Sequence, residues 1–247
     1  MSTSFPGPGH VYDIIIVGAG ISGSEAALAC ARAGLDVLLV STSLDTVYNL
    51  LGDGVVLEPP PDTLMAEVHA DLADDRGYVG NWAFHRQAKF ALERQPGVHL
   101  LQSSVSSLKV EEGTVRGVST WEGLDRFSDT VALCVGSFLE ARLRIGTLTE
   151  IAGRLSEMAY DELYNDLVAR GMVLEPLRLE ARFDDASLPY TVECKQFAPS
   201  EWNPDTFRLE RLGGLYGAGV CCAGYLPYEQ AAAQGKRFGA YLVSVLT

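Results

Sequence analysis

The segment Asp13-Ile-Ile-Ile-Val17 runs without interruption into Gly18-Ala-Gly20-Ile-Ser-Gly23, and Ser24-Glu-Ala-Ala-Leu-Ala-Cys-Ala-Arg-Ala33 follows at once. The apolar run reads as a strand buried on both faces, and the residues after it carry a helical pattern. Within that context each glycine has its own task. Gly18 permits the tight strand-to-helix turn, Gly20 lets the backbone approach a pyrophosphate, and Gly23 lets the helix lie close to the strand. The helix start offers free N–H groups and a positive dipole end to the same anion. Ala27 keeps the helix against the sheet, Gly34 is its C-cap, and Asp36-Val-Leu-Leu-Val40 reads as a second, parallel strand. The sequence therefore specifies a βαβ unit that binds a dinucleotide, with Gly18, Ala19, Gly20, Ile21, Ser22 and Gly23 around the pyrophosphate.

Two rival readings fail. A P-loop shares the spacing of Gly18 and Gly23, but it needs Lys-Ser/Thr next, and Ser24-Glu25 stands there. An acidic side chain at that point repels phosphate. A plain NAD dehydrogenase carries Asp or Glu at the end of the second strand, where this chain has Val40-Ser41-Thr42. Hydroxyl groups still reach a ribose, so the ligand's identity must come from other segments.

With 247 residues, 47% hydrophobic and 21% charged, the chain can bury a substantial core. Its net charge of −13 and pI of about 4.7 disfavour unaided contact with nucleic acid or an anionic membrane. Residues 1–11 are expected to be a flexible tail. With no signal-like or membrane-spanning run, a cytoplasmic protein is the expectation. The five cysteines, Cys30, Cys134, Cys194, Cys221 and Cys222, show no zinc or C-x-x-C spacing, and the four histidines are scattered. No metal site is expected. Buried thiols are the favoured reading, including the vicinal pair Cys221-Cys222, for which redox activity is the lesser alternative.

Leu50 to Asp62, with Gly52, Gly54 and three prolines, reads as a loop, and Asp62 as the cap of a helix over 63–75. A second helix spans 82–95, with His85-Arg86-Gln87 on a solvated face. Strands follow at 98–101, 105–110, 114–121, 126–127 and 130–135, the middle ones at hairpin spacing. A small antiparallel meander thus interrupts an α/β sheet. By analogy of fold, that insertion belongs to FAD-binding oxidoreductases rather than to simple dehydrogenases. The expectation is a Rossmann-like, three-layer α/β FAD-binding fold with a parallel sheet. Residues 12–247 read as one compound domain, with a nucleotide-binding core at 12–146 and 213–247 and a less legible subregion at 147–212. In that subregion 160–170 reads as a helix capped by Gly171, and 172–183 and 190–197 read as strands.

The C-terminal part carries a second informative pattern. Gly214-Leu-Tyr-Gly-Ala-Gly219 reads as a last strand, followed by a loop and a helix from Tyr228. Ala231, Gly235 and Gly239 leave one helix face nearly bare, although each glycine costs about 1 kcal/mol relative to alanine. Either a flat ligand or tight packing of another element would offset that.

Together these segments resemble the glucose-inhibited division protein A family, FAD-dependent proteins of tRNA wobble-uridine modification. The resemblance rests on Tyr12 to Ala29, Leu44-Asp45-Thr46, Arg86-Gln-Ala with Ala91-Leu-Glu-Arg-Gln-Pro96, Val135-Gly-Ser-Phe-Leu-Glu140 with Ile145-Gly146, and Gly214 through Tyr228-Glu-Gln-Ala-Ala-Ala-Gln-Gly235. It implies FAD as cofactor, held at the pyrophosphate by Gly18 to Gly23. Ser41 and Thr42 would lie near the adenosine ribose, Val105 would meet the adenine through its backbone, and Gly136 and Ser137 would lie near the cofactor. Gly219 and Val220, together with Tyr228 at the start of the last helix, would face the flavin. Val220 departs from the family's glutamine and loses a polar contact.

The reaction transfers less well than the cofactor. The family's cysteine-bearing loop aligns with Asn49-Leu-Leu-Gly-Asp53, which has no cysteine, so thiol chemistry on a uridine lacks its nucleophile. The family's central and C-terminal tRNA-binding regions find no counterpart, as in a truncated form, and direct tRNA binding is not expected. The leading reading is a small FAD-dependent oxidoreductase of unidentified substrate, reduced by NADH or NADPH. An accessory FAD-binding subunit in tRNA modification is the alternative, and an NAD-using protein the third.

Overall fold

Residues 14–17 form the buried strand that their apolar run predicts, and the whole sheet grows from it. The computed structural model describes residues 5–247. β1 (Ile14–Val17) is buried throughout, α1 (Ile21–Arg32) leaves its end, and β2 (Val37–Ser41) returns parallel with Ile14 opposite Val37. Gly34 stands just past α1 with φ +94°, as a helix stop requires.

The next stretch departs from the sequence reading in three places. The expected loop before residue 62 contains β3 (Gly54–Val56). Thr63, not Asp62, caps α2 (Leu64–Leu72), its hydroxyl accepting from Ala66 N at 3.1 Å. β4 (Tyr78–Gly80) pairs antiparallel with β3 and leads into α3 (Asn81–Arg94). On α3, His85 is not on a solvated face. It is 3% exposed, with Nδ1 2.6 Å from Val47 O, so the imidazole serves a buried carbonyl that no helical pattern could reveal.

β5 (Val98–Gln102) joins the parallel sheet, and β6 (Val105–Glu111), β7 (Thr114–Thr120) and β8 (Asp125–Phe127) form the expected antiparallel meander. β9 (Val131–Leu133) returns beside β1. The less legible region holds β10 (Arg142–Ile145), β11 (Leu148–Glu150), β12 (Ala152–Arg154), β13 (Glu157–Met158), α4 (Glu162–Ala169), β14 (Leu174–Arg182) and β15 (Pro189–Phe197). Sequence patterns reach α4, β14 and β15 but miss the four short strands before them. β16 (Leu215–Gly217), α5 (Val220–Ala223) and α6 (Tyr228–Leu246) close the chain, α5 standing where a loop was expected.

The parallel sheet has the order β16-β9-β1-β2-β5. Alternation along β1 and β2 splits the core into two layers, as strand geometry demands. Ile14, Ile16, Val37 and Leu39 pack under the layer of α1, α2, α3 and α6. Ile15, Val17, Leu38 and Val40 pack against the meander residues Val115 and Val118 and against Leu163 and Leu167 of α4. This is the three-layer α/β arrangement with an antiparallel insertion.

The bare face of α6 lies on α1. A Cβ at Gly235 would stand 2.6 Å from Ser22 O, and one at Gly239 would stand 3.0 Å from Ala26 Cα. Helix-on-helix packing, rather than a flat ligand, uses those glycines. The five cysteines are free and buried, with the Sγ atoms of Cys221 and Cys222 3.8 Å apart. Of the expected tail, residues 1–4 lie outside the described residues, while His10 Nε2 sits 2.5 Å from Asp36 Oδ2. Among the described residues no helix is long and apolar enough to cross a membrane, and no cluster of side chains could hold a metal.

Candidate functional site

At the C-terminal ends of β1, β2 and β9, where ligands sit in open parallel sheets, a cavity of about 320 Å³ opens over the start of α1. The turn that makes it is built by close backbone approach. Gly18 has φ +107°, and a Cβ there would fall 2.2 Å from Cys134 O, so only glycine fits between β1 and β9. Gly20 differs. Its backbone has φ −72°, and nothing lies within 4 Å of where a Cβ would stand. That open space belongs to the cavity.

The first N–H groups of α1 have no intrahelical acceptor, no side chain caps them, and the first turn holds no acidic residue. These are the conditions for binding an anion. The nearby carboxylate of Glu25 is turned away, accepting from Leu64 N, Met65 N and the Tyr48 hydroxyl. Ser22 and Gly23 then divide their tasks. Ser22 borders the cavity and its hydroxyl ties α1 to α6 by donating to Ala231 O at 3.0 Å. Gly23 does not border the cavity, and a Cβ on it would collide with Gly18 O at 2.0 Å, so it sets the helix-to-strand spacing.

One end of the cavity runs past β2 to the meander. Ser41, Thr42, Ser103, Ser104 and Val105 line it. The Ser41 hydroxyl donates to Ser43 O at 2.8 Å, which leaves its oxygen free to accept a hydrogen bond from a ligand hydroxyl. Tyr160, two residues before α4, and Leu163, in its first turn, border the cavity too, and they come from the region in which no motif was legible.

The other end lies between β9, α5, α6 and the hairpins of β12–β15. Gly136, at φ +58°, and Ser137 form its floor, with Ser137 Oγ donating to Gly153 O at 2.6 Å. Gly219, at φ +82°, has its N–H held by Gln234 Oε1 at 2.6 Å. Val220 presents an aliphatic side chain to this end, and Tyr228 borders it while its oxygen accepts from Leu51 N at 2.8 Å. Arg154 also lines the wall, but it is ion-paired with Glu157 and donates to Asn49 O at 2.9 Å. Its charge is already used. Burial is the main cause that raises the pKa of Tyr190 and of Tyr228, so both phenols stay neutral.

The structure thus brings together all the expected site residues except Gly23. Phe138, next to the expected Ser137, was missed, and so were Asn49, Leu51, Arg154, Tyr160 and Tyr190, which come from loops and hairpins whose place depends on long-range pairing. The lining suits a diphosphate-bearing ligand: an open glycine and free helical N–H groups for the anion, with hydroxyl side chains beside them.

The family model described as glucose inhibited division protein A matches residues 13–70 and 74–181. Among solved structures, a GidA-related protein from Thermus thermophilus is 39% identical, with a TM-score of 0.85 over 95% of this chain and 99% of that one. GidA of Aquifex aeolicus, 16% identical, has a TM-score of 0.81 over 95% of this chain and 63% of its own, a likeness of fold. The tRNA uridine 5-carboxymethylaminomethyl modification enzyme MnmG of Chlamydia abortus (strain DSM 27085 / S26/3) is 32% identical over 192 residues, 68% of this chain. The match takes in 31% of that enzyme, so the chain spans about a third of the length of the curated relatives it resembles.

Proposed function

Because the chain belongs to the glucose-inhibited division protein A family, whose members bind FAD, we propose that the cavity over α1 holds FAD and that the protein is a small flavin-dependent oxidoreductase. The observation that carries this reading is the open Gly20 at an uncapped, acid-free helix start. In the proposed arrangement the backbone of Gly18, Ala19, Gly20, Ile21 and Ser22 holds the diphosphate, with Gly23 keeping the helix in place. Ser41 accepts from the ribose, Thr42 lies beside it, and Val105 borders the adenine. Gly136, Ser137, Gly219, Val220 and Tyr228 surround the flavin ring.

When bound, the flavin supplies hydride and single-electron transfer. The protein's part is to orient the ring and keep water from it. Phe138, Val220 and Leu226 offer an apolar wall, while Tyr190 and Tyr228 remain protonated hydrogen-bond donors near neutral pH. NADH or NADPH is the proposed reductant.

The uridine chemistry named for the longer relatives is not proposed for this chain alone. The loop Asn49–Asp53 has no cysteine, and Cys134, which borders the cavity floor, is held protonated by burial. The net charge of −13 opposes tRNA.

Purification tests the reading directly. The protein is expected to be yellow, to release FAD on denaturation, and to bleach on anaerobic mixing with NADH or NADPH. A colourless preparation that takes up no FAD would end the cofactor reading. A bound flavin left oxidised by both nicotinamides would end the oxidoreductase reading and leave a FAD-holding module.

A further inference from the structure

We infer that Tyr160, braced by Trp121, forms an aromatic wall that reads the adenine ring, so that the site selects a flavin carrying an adenylate over one without it. The inference rests on the FAD reading above and adds residues that no motif marks.

Tyr160 borders the end of the cavity that also holds Ser103, Ser104 and Val105. It is fixed from both sides in sequence. Ala159 N donates to Ile151 O at 3.0 Å, and Asp161 receives both arms of the Arg142 guanidinium, at 3.2 and 2.7 Å. The helix that follows is clamped onto β6. Asp166 accepts from Leu108 N at 2.9 Å, and Arg170 donates to Leu108 O at 2.6 Å while pairing with Asp166. α4 therefore holds Tyr160 in register with the strand whose first residue, Val105, borders the same space.

Trp121 gives the second observation. It is 63% exposed, yet its backbone is fixed: the main-chain N–H donates to Ser104 O at 2.9 Å, and the next residue, Glu122, accepts from Ser103 Oγ at 2.6 Å. Its ring lies 6.1 Å from that of Tyr160, within the range of aromatic pairing. A large exposed aromatic contributes little to the core, but beside Tyr160 it limits how far that ring can swing out. The slot so formed has an aromatic face, the aliphatic side chains of Val105 and Leu163, and two serines. Among the described residues no Lys or Arg borders this end. A neutral, flat ring with polar edges suits it, and adenine is that ring in a flavin dinucleotide.

The test compares apoprotein affinities for FAD, FMN and ADP in wild type, Tyr160→Ala, Tyr160→Phe and Trp121→Phe, with thermal melts as a check of folding. Wild type is expected to bind FAD more tightly than FMN, and ADP is expected to quench Trp121 emission, an effect lost in Trp121→Phe. Loss of one base-stacking contact predicts that Tyr160→Ala weakens FAD about tenfold. FMN should be unaffected, and Tyr160→Phe should keep the wild-type preference. Equal FAD affinity in wild type and a folded Tyr160→Ala overturns the inference while the FAD reading stands. Wild type that binds neither FAD nor ADP overturns both.

Discussion

The Tyr48 hydroxyl donates to Glu25 Oε1 at 2.5 Å, with Tyr48 wholly buried and Glu25 3% exposed. The same carboxylate accepts from Leu64 N at 2.9 Å and from Met65 N at 3.0 Å. A charge on α1 thus satisfies the start of α2 and fixes the residue before Asn49, which lines the cavity. The side chain that rules out a P-loop has a structural use: it ties the fingerprint helix to the loop that walls the site.

Glu25→Gln should destabilise the protein by about 1–3 kcal/mol, since one amide oxygen cannot serve three buried donors. The pH dependence has a definite sign. Burial is the largest cause raising the Glu25 pKa above its ordinary 4.5, so over that window the folded chain binds the proton more readily than the unfolded one. The stability Glu25 contributes is complete below 4.5 and declines as pH rises through the native value. Melting curves across that range should show this slope in wild type and lack it in Glu25→Gln. Equal slopes would assign the effect to other carboxylates.

Two glycines separate binding from folding. Gly235→Ala gains helix propensity but drives a methyl group into Ser22 O and Cα, at 2.6 and 2.8 Å. Overpacking of that kind costs about 1–3 kcal/mol and exceeds the gain. Gly20→Ala meets no protein atom within 4 Å and has an ordinary φ, so its melting point should hold. Its methyl enters the space proposed for the diphosphate, and FAD affinity should fall at least tenfold. Calorimetry beside FAD titration distinguishes the two; a Gly20→Ala protein with wild-type affinity would remove the diphosphate from that place.

What was legible in the sequence was local. Gly18, Gly20 and Gly23 act within a few residues of one another, so their spacing carries the geometry, and β1, α1 and β2 follow from periodicity. The meander was legible for the same reason. Gly235 and Gly239 announced a close approach without naming its partner, because α1 lies more than two hundred residues earlier in the chain. His85 read as solvated since its acceptor, Val47 O, comes from a separate loop. Tyr160 and Arg154 carry no signal of their own. They reach the cavity through the Asp166–Arg170 clamp on Leu108 and through the Asn49 carbonyl, pairings set by the tertiary fold.

The cysteines should be silent in the folded protein. Burial pushes the Cys30 and Cys194 thiols up to about 12 and Cys134 and Cys222 well above their usual value. For Cys221 the direction is downward, chiefly through the hydrogen bond with Cys222, but the sulfur is wholly buried. The 3.8 Å between that pair is far from the roughly 2.05 Å of a disulfide. Titration with a chromogenic disulfide should find almost no reactive thiol in buffer and all five in denaturant. A thiol that reacts quickly before unfolding would restore the redox reading of Cys221-Cys222.

Tyr228→Phe should affect the cavity wall before it affects the fold. The phenol oxygen is the acceptor for Leu51 N at 2.8 Å, and that N–H lies in the loop that also holds Asn49 against Arg154. Without the oxygen, a partly buried N–H loses its partner at a cost of about 1–2 kcal/mol. The phenol's own proton, kept in place by burial, is also lost as a donor near the proposed flavin ring. FAD should still bind, since the proposed diphosphate contacts come from the backbone at the start of α1 and not from Tyr228. The flavin absorption band should shift, and its reduction potential should fall, because one donor no longer stabilises the reduced ring's charge. A variant with wild-type spectrum and potential but a lowered melting point would confine Tyr228 to holding Leu51.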